Sequence, residues 1–271
     1  MFDPVSYLMG KEAGGGSSVT VEALTVTENG TVTAPTGKAY SPVTVDVPLN
    51  VGIESTITGS LNSFFNNRTF VPAINKLTFR NFVTSSVIAT YCFSQLKGVS
   101  ELDITLDGPV SNLQGAFYGC RAKRVVLNLD TSTPPQNYKQ LFYDTENVEG
   151  LEIIVTGYTF DLSAVPDPGN NNNGLQNMIG ANVKEIRFVK SSAKTDWLTN
   201  QCQKVSDETL VSMANALDET ATGKTLSIHA TPKARCGQLV GTVTDGVFAI
   251  DAGGGTTLAD FITNTKGWTL A

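Results

Sequence analysis

The sequence predicts a β-rich α/β solenoid with a small N-terminal β-module and a strand–helix C-terminal cap. Three observations lead there. Short apolar strand-like pieces recur through the middle of the chain, and apolar anchors recur at a fixed distance ahead of them. The third is composition: 33 of 271 residues are Thr, hydrophobic residues make up 41% and charged residues only 16%. Such a chain can bury a core, and threonine at this abundance suits β-structure on an exposed surface.

The first element is MFDPVSYLMGKE, where Phe2, Val5, Leu8 and Met9 are apolar at roughly helical spacing. It is too short to be a stable isolated helix. The Gly-rich run from Ala13 to Ser18 follows and reads as a tether. Residues 1–18 therefore form a docking segment with a linker, and the alternative is a disordered terminus. Residues 19–50 alternate Val and Leu with Thr and other polar residues, the period-2 pattern of strands. Asn29-Gly30 supplies a hairpin turn. This small β-module is short for independent stability, so it should pack on a neighbour.

Residues 51–205 carry the repeats. Leu77-Thr78-Phe79, Leu102-Asp103-Ile104, Val125-Val126-Leu127, Leu151-Glu152-Ile153 and Ile186-Arg187-Phe188 read as successive strands. Their starts are spaced 25, 23, 26 and 35 residues apart. Phe93, Phe117, Phe142 and Met178 stand eight or nine residues before the last four. One short strand cannot bury its own apolar face, so successive units stack into a continuous core. A period of roughly 20 to 29 with Leu-x-Leu strands is the leucine-rich-repeat regime, here degenerate. The long spacing coincides with Asp167-Pro168-Gly169 and Asn170 to Asn173, an expected projecting loop.

Residues 206–271 change character and read as a C-terminal repeat or cap. Ser206 is a predicted N-cap ahead of Asp207 and Glu208, with Leu210, Met213, Ala214 and Leu217 at helical spacing. Thr225 to His229 reads as a strand, Pro232 opens a second helix and Thr257 to Asn264 a third. KGWTLA at the end reads as a strand-like tail.

Charge and motif content narrow the function classes. A net charge of −6 disfavours nucleic acid. The single histidine, His229, excludes multi-His metal sites. No run of about 18 apolar residues suggests a membrane helix, and the start lacks the features of a secretory signal. Cys92, Cys120, Cys202 and Cys236 contain no C-x-x-C and read as buried free thiols; a disulfide pair is the lesser reading. Ala221 to Thr225 resembles the end of a P-loop but has Asp218 where a glycine is needed, so it reads as a turn into a strand. Gly253 to Gly255 reads as a flexible connection. Asp161, Asp167 and the asparagine run lack the spacing of a calcium loop. His229 with Cys236 as a nucleophile pair, and Asp103, Asp107, Asp130 and Glu152 as a glycosidase carboxylate pair, are the catalytic alternatives. Each is weaker than a structural role, and no catalytic, cofactor or metal residue is assigned.

The stretch from Gly115 to Val125, GAFYGCRAKRV, resembles the BspA-like class of leucine-rich repeats, in which Ala-Phe-x-x-Cys precedes an apolar strand. The other units depart from it: Cys92 stands before its Phe, and Thr145 and Ala181 take the Cys position. The ends MFDPVSYLMGKEAGGG and LTVTENGTVTAPTGKAYSPVTVDVP, with SDETLVSMANAL, TLSIHATPKARC and KGWTLA, resemble tail or baseplate-associated proteins of phages and prophages of Gram-positive bacteria. The resemblance implies a non-enzymatic virion structural protein of the distal tail, extracellular after lysis. It would attach through its N-terminus to other tail or baseplate proteins and present the repeats to a host cell-surface glycan or protein. It implies neither nucleic-acid binding nor membrane insertion, and a homotrimer is compatible with it. A glycan-cleaving tail enzyme and a bacterial surface adhesin are the alternatives. Tyr91, Tyr118, Tyr143 and Tyr158, at or near the repeat junctions, are the candidate recognition surface.

Overall fold

A computed structural model describes residues 50–55, 60–67, 69–81, 86–144, 150–167, 174–221 and 223–271, together with five short strands before residue 50. Those five are β1 (Thr20–Val21), β2 (Thr25–Val26), β3 (Val32–Thr33), β4 (Ala39–Tyr40) and β5 (Val43–Asp46). β2, β3 and β4 form an antiparallel sheet; the expected turn at Asn29-Gly30 lies outside the described residues.

The described body is a β-solenoid. Its main sheet stacks β6 (Asn50–Ser55), β7 (Thr69–Asn81), β9 (Lys97–Leu106), β11 (Arg124–Leu129), β12 (Ile153–Thr156) and β13 (Val183–Glu185), all in parallel. β8 (Val87–Ile88) and β10 (Val110–Asn112) form a second parallel pair. β5 and β1 add antiparallel to β6 and β7, so the N-terminal strands join the solenoid's sheet.

The strand register follows from side-chain alternation. Leu77, Leu102, Val125 and Val155 lie in one row, and Phe79, Ile104 and Leu127 in the next but one. Most of these side chains are buried to the point of having no exposed surface. Just ahead of the first row Lys76, Glu101 and Arg124 share the outer face, where Lys76 pairs with Glu101 at 3.2 Å and with Asp103, from the row between the two apolar ones, at 2.7 Å. A one-residue slip would turn the whole apolar set outward, so burial fixes the register.

The expected strand positions hold for Leu77, Leu102 and Val125 and shift afterwards. The fourth strand is 153–156, and Val155, not Leu151, stands opposite Val125. The fifth is 183–185, and Ile186 to Phe188 follow it. Leu151 and Ile186 are buried all the same, so the composition was right and the register was not.

The other side of each turn of the solenoid is a seven-residue arc. Backbone hydrogen bonds of 2.6 to 3.0 Å between successive arcs align LNSFFNN (61–67), ATYCFSQ (89–95), LQGAFYG (113–119), YKQLFYD (138–144) and LQNMIGA (175–181). The fifth residues are Phe65, Phe93, Phe117, Phe142 and Ile179. The four phenylalanines stack face to face at 5.5, 5.5 and 5.1 Å with interplanar angles of 16°, 9° and 9°. The anchors Phe93, Phe117 and Phe142 therefore form one column, as expected, but Ile179 continues it in place of Met178. Offset stacks of this kind add about 0.5 to 1.5 kcal/mol per pair to the apolar burial.

Each arc turns through left-handed backbone at its third residue: Ser63, Tyr91, Gly115, Gln140 and Asn177 have φ between 51° and 58°. The hydrogen bonds Phe64 N–H to Leu61, Cys92 to Ala89, Ala116 to Leu113, Leu141 to Tyr138 and Met178 to Leu175 close the same four-residue turn each time. A turn with φ above zero at its third residue is the type II geometry, which favours Gly or Asn there. Only Gly115 and Asn177 announce it in the sequence.

The arc column continues into strands. Asn177 N–H bonds the Leu198 carbonyl at 2.6 Å, and β14 (Trp197–Thr199), β15 (Thr225–Ile228) and β19 (Thr269–Leu270) run parallel in the same stack. Beside β13, α1 (Asp207–Ala216) takes the next position. Ser206 Oγ accepts from Thr209 N–H, the predicted N-cap. Thr209 Oγ1 accepts from Ile186 N–H at 3.2 Å and donates to the Lys184 carbonyl at 3.1 Å, and Ser212 Oγ accepts from Phe188 N–H at 2.9 Å.

The rest comprises α2 (Ala230–Cys236), the hairpin β16 (Val240–Thr244) and β17 (Val247–Ile250), β18 (Thr256–Thr257), α3 (Leu258–Asp260) and a π-helical turn over Phe261–Thr265. Within the Gly253 to Gly255 segment Gly254 is packed, since a Cβ there would overlap the backbone of Gly241 and its N–H bonds the Asp251 carbonyl at 2.9 Å, while Gly253 and Gly255 are exposed.

Candidate recognition surface

Tyr91, Tyr118 and Tyr143 come together at one corner of the solenoid, each partly exposed. Tyr91 is the third residue of its arc; Tyr118 and Tyr143 are the sixth of theirs. Their ring centroids lie 6.3 Å apart between Tyr91 and Tyr118 and 5.7 Å between Tyr118 and Tyr143, giving a row across three successive arcs. Tyr158 is not part of it. It is 5% exposed and packs edge-on against Phe160 at 5.1 Å, so its ring belongs to the core beside Tyr138.

Tyr91 holds an uncommon conformation, φ 51°, for a bulky residue. Gly115 in the next arc makes room for it: a Cβ at Gly115 would overlap the Tyr91 ring. The ring thus lies along the stack. Its hydroxyl donates to Gln140 Oε1 at 3.4 Å, two arcs away, and accepts from Gln114 Nε2 at 3.4 Å. Gln114 Oε1 in turn accepts from Asn137 Nδ2 at 3.2 Å. A row of amides therefore runs beside the row of rings. The amides are a feature that the sequence reading missed, because only the arc register places Gln114 and Gln140 next to Tyr91. Partial burial, then the nearby Asp144 carboxylate, holds the Tyr118 phenol above its ordinary range.

The arrangement offers ring edges and faces, amide donors and acceptors, and little charge. The second and third residues of the five arcs are Asn62-Ser63, Thr90-Tyr91, Gln114-Gly115, Lys139-Gln140 and Gln176-Asn177, with Lys139 the one charged residue among them.

A second feature lies between β12 and α1. Pairing of β12 with β13 stops at Ile154 opposite Glu185 and resumes at Phe160 opposite Phe188, so five residues on one side face two on the other. A cleft of about 370 Å³ opens there, lined by Thr156, Gly157 and Thr159 on one side and by Glu185, Arg187 and Glu208 on the other. The sequence pattern set Arg187 on a strand and Glu208 in the first turn of a helix but did not bring these residues together as a site.

The other expected positions fall as follows. Phe2, Val5, Leu8 and Met9 lie outside the described residues. His229 Nδ1 accepts from Thr231 N–H at 3.2 Å and so caps α2. Cys236 is buried, and burial pushes its thiol up to about 11, the opposite of what a nucleophile needs. Asp103 is paired with Lys76, Glu152 with Lys184 at 2.9 Å, and Asp130 holds Ser132 N–H at 2.8 Å. Lys224 of the P-loop-like segment pairs with Asp167 and leads into β15, a turn into a strand as expected. Asp161 accepts from Ser163 N–H at 2.9 Å, while Asn170 to Asn173 lie outside the described residues. Among the described residues no group of three or more His, Cys, Asp or Glu could hold a metal ion, and no helix is long and apolar enough to cross a membrane.

All four cysteines are free and buried, and Cys120 and Cys202, like Cys236, are pushed up to about 11 by burial. Native protein at neutral pH is therefore expected to show no fast-reacting thiol to Ellman's reagent, and four after unfolding in guanidinium. A fast native thiol would mean that one of these positions opens to solvent. No family model, curated protein or solved structure matches the chain.

Proposed function

We propose that the chain is a non-enzymatic structural protein of a phage tail tip or baseplate that presents its solenoid for host-surface recognition. The N-terminal docking segment and β-module attach it to other tail proteins, and the corner bearing Tyr91, Tyr118 and Tyr143 meets the host. On this reading the turns are degenerate leucine-rich repeats. α1, whose Thr209 and Ser212 hydroxyls bond the backbone beside β13, is the start of a C-terminal cap over the last repeat.

The observation that carries the reading is the tyrosine row. Half-exposed aromatic rings at 5.7 and 6.3 Å, set in a neutral amide-rich corner, resemble a binding surface in composition. Tyr91 supports it further. Left-handed backbone costs a bulky residue about 1 to 2 kcal/mol, and Gly serves at the equivalent position one arc later. Strain retained at a partly exposed aromatic points to a use for the ring. The resemblance of the two chain ends to tail proteins supplies the setting.

Purified protein should bind intact host cells, and Tyr118→Ala should weaken that binding about tenfold, the effect of losing one well-placed aromatic anchor. The variant should keep the wild-type unfolding midpoint within a few degrees. Undiminished cell binding by Tyr118→Ala together with Tyr143→Ala would remove the corner from the account.

A further inference from the structure

We infer that the ligand of the tyrosine corner is an uncharged polysaccharide lying along the stacking axis of the solenoid; this rests on the reading of the corner as the host-recognition surface. The first argument is charge. The second and third positions of the five arcs carry one charged residue, Lys139, and Asp144 stands beside Tyr118. The whole chain carries −6. Along the second and third arc positions an anionic polymer would meet Lys139 as the one cation, against a negative overall charge; the exposed Arg121, Lys123 and Arg124 come after the arc that bears Tyr118. A strongly basic partner would find, among the described residues, Asp144 beside the rings.

The second argument is the chemistry of the groups themselves. Gln114, Asn137 and Gln140 each carry both a donor and an acceptor, which is what vicinal hydroxyls need. The tyrosine rings supply apolar area for the C–H faces of sugars and a hydroxyl at the edge. Tyr91 is held flat along the axis by Gly115 and by its bonds to Gln114 and Gln140, so its ring is presented rather than free to turn. That lowers the entropy lost on binding.

The third argument is direction. Three successive arcs each contribute one ring, Tyr91 from a third position and Tyr118 and Tyr143 from sixth positions, so a polymer aligned with the axis meets a ring at each of these three steps. A compact protein epitope gains nothing from this repetition. A polymer does, because successive sugars can engage the three ring-bearing arcs and the contacts act together.

The test separates this inference from the reading beneath it. Host wall material is divided by ion exchange into neutral and anionic polysaccharide fractions. Binding of the full chain to each is measured from about 50 mM to about 500 mM NaCl, where screening of exposed charges becomes nearly complete. The expected result is binding to the neutral fraction, with affinity changing less than about twofold across that range and falling about tenfold in Tyr118→Ala. Tyr118→Phe, which keeps the ring, should stay within about threefold of wild type. Binding to the anionic fraction, a steep loss with salt, or loss of binding after protease treatment of the cells would each overturn the inference while leaving recognition intact. Failure to bind whole cells would overturn the recognition reading itself.

Discussion

Phe117→Ala is expected to lower the stability of the solenoid by about 3 to 5 kcal/mol, the range for deleting a buried phenylalanine side chain. Phe117 is 1% exposed and is an inner ring of the stack, with Phe93 at 5.5 Å and Phe142 at 5.1 Å, both nearly parallel to it. Truncation removes two ring pairs and leaves a cavity that the flanking rings cannot fill, because each is held by its own arc. In a repeat structure each turn depends on its neighbours, so a defect in a middle arc weakens coupling on both sides. Urea unfolding followed by circular dichroism would read the loss. A cost below about 1 kcal/mol would mean that the stacked column is not a continuous core.

Thr209→Val is expected to cost about 2 kcal/mol although the two side chains have nearly the same shape. Thr209 is 2% exposed, and its hydroxyl serves both Ile186 N–H and the Lys184 carbonyl. Valine fills the space and leaves both backbone groups without that partner, which is the expensive way to lose a hydrogen bond. Thr209→Ser retains the hydroxyl and should cost much less. The same denaturation measurement on the pair separates the role of the hydroxyl from that of packing. Equal midpoints for Val and Ser would show that α1 does not complete the backbone bonding beside β13.

The general architecture could be read from the chain because its period is carried by large residues. Phe93, Phe117 and Phe142 recur at the same offset from their strands, and the structure stacks them. Legibility failed where the period stretched. After Phe142 the next arc begins only at Leu175, and alignment by apolar type chose Met178 when the backbone places Ile179 in the column. The strand at 153–156 was misplaced for a similar reason. Leu151 and Ile153 fit the Leu-x-Ile pattern as well as Ile153 and Val155 do, and only hydrogen-bond register separates them.

The candidate site was half legible. Tyr91, Tyr118 and Tyr143 stood out by residue type, and they meet at one corner because two arc positions point there. Tyr158 has the same type but falls on an inward position next to Phe160, which no count of spacings revealed. The turn geometry was hidden because Tyr91 and Gln140 occupy left-handed positions that Gly or Asn would have advertised. The continuation of the arc column through Trp197, Leu226 and Leu270 was hidden as well. α1 and the β16–β17 hairpin interrupt the sequence between strands that are neighbours in space.

Peptide mass spectrometry of purified particles from the source lysate, with antibody labelling in the electron microscope, tests the central claim most directly. The account predicts peptides from this chain in the particles and label at the distal end of the tail. Absence from particles, with the protein found free or on cells, would contradict it.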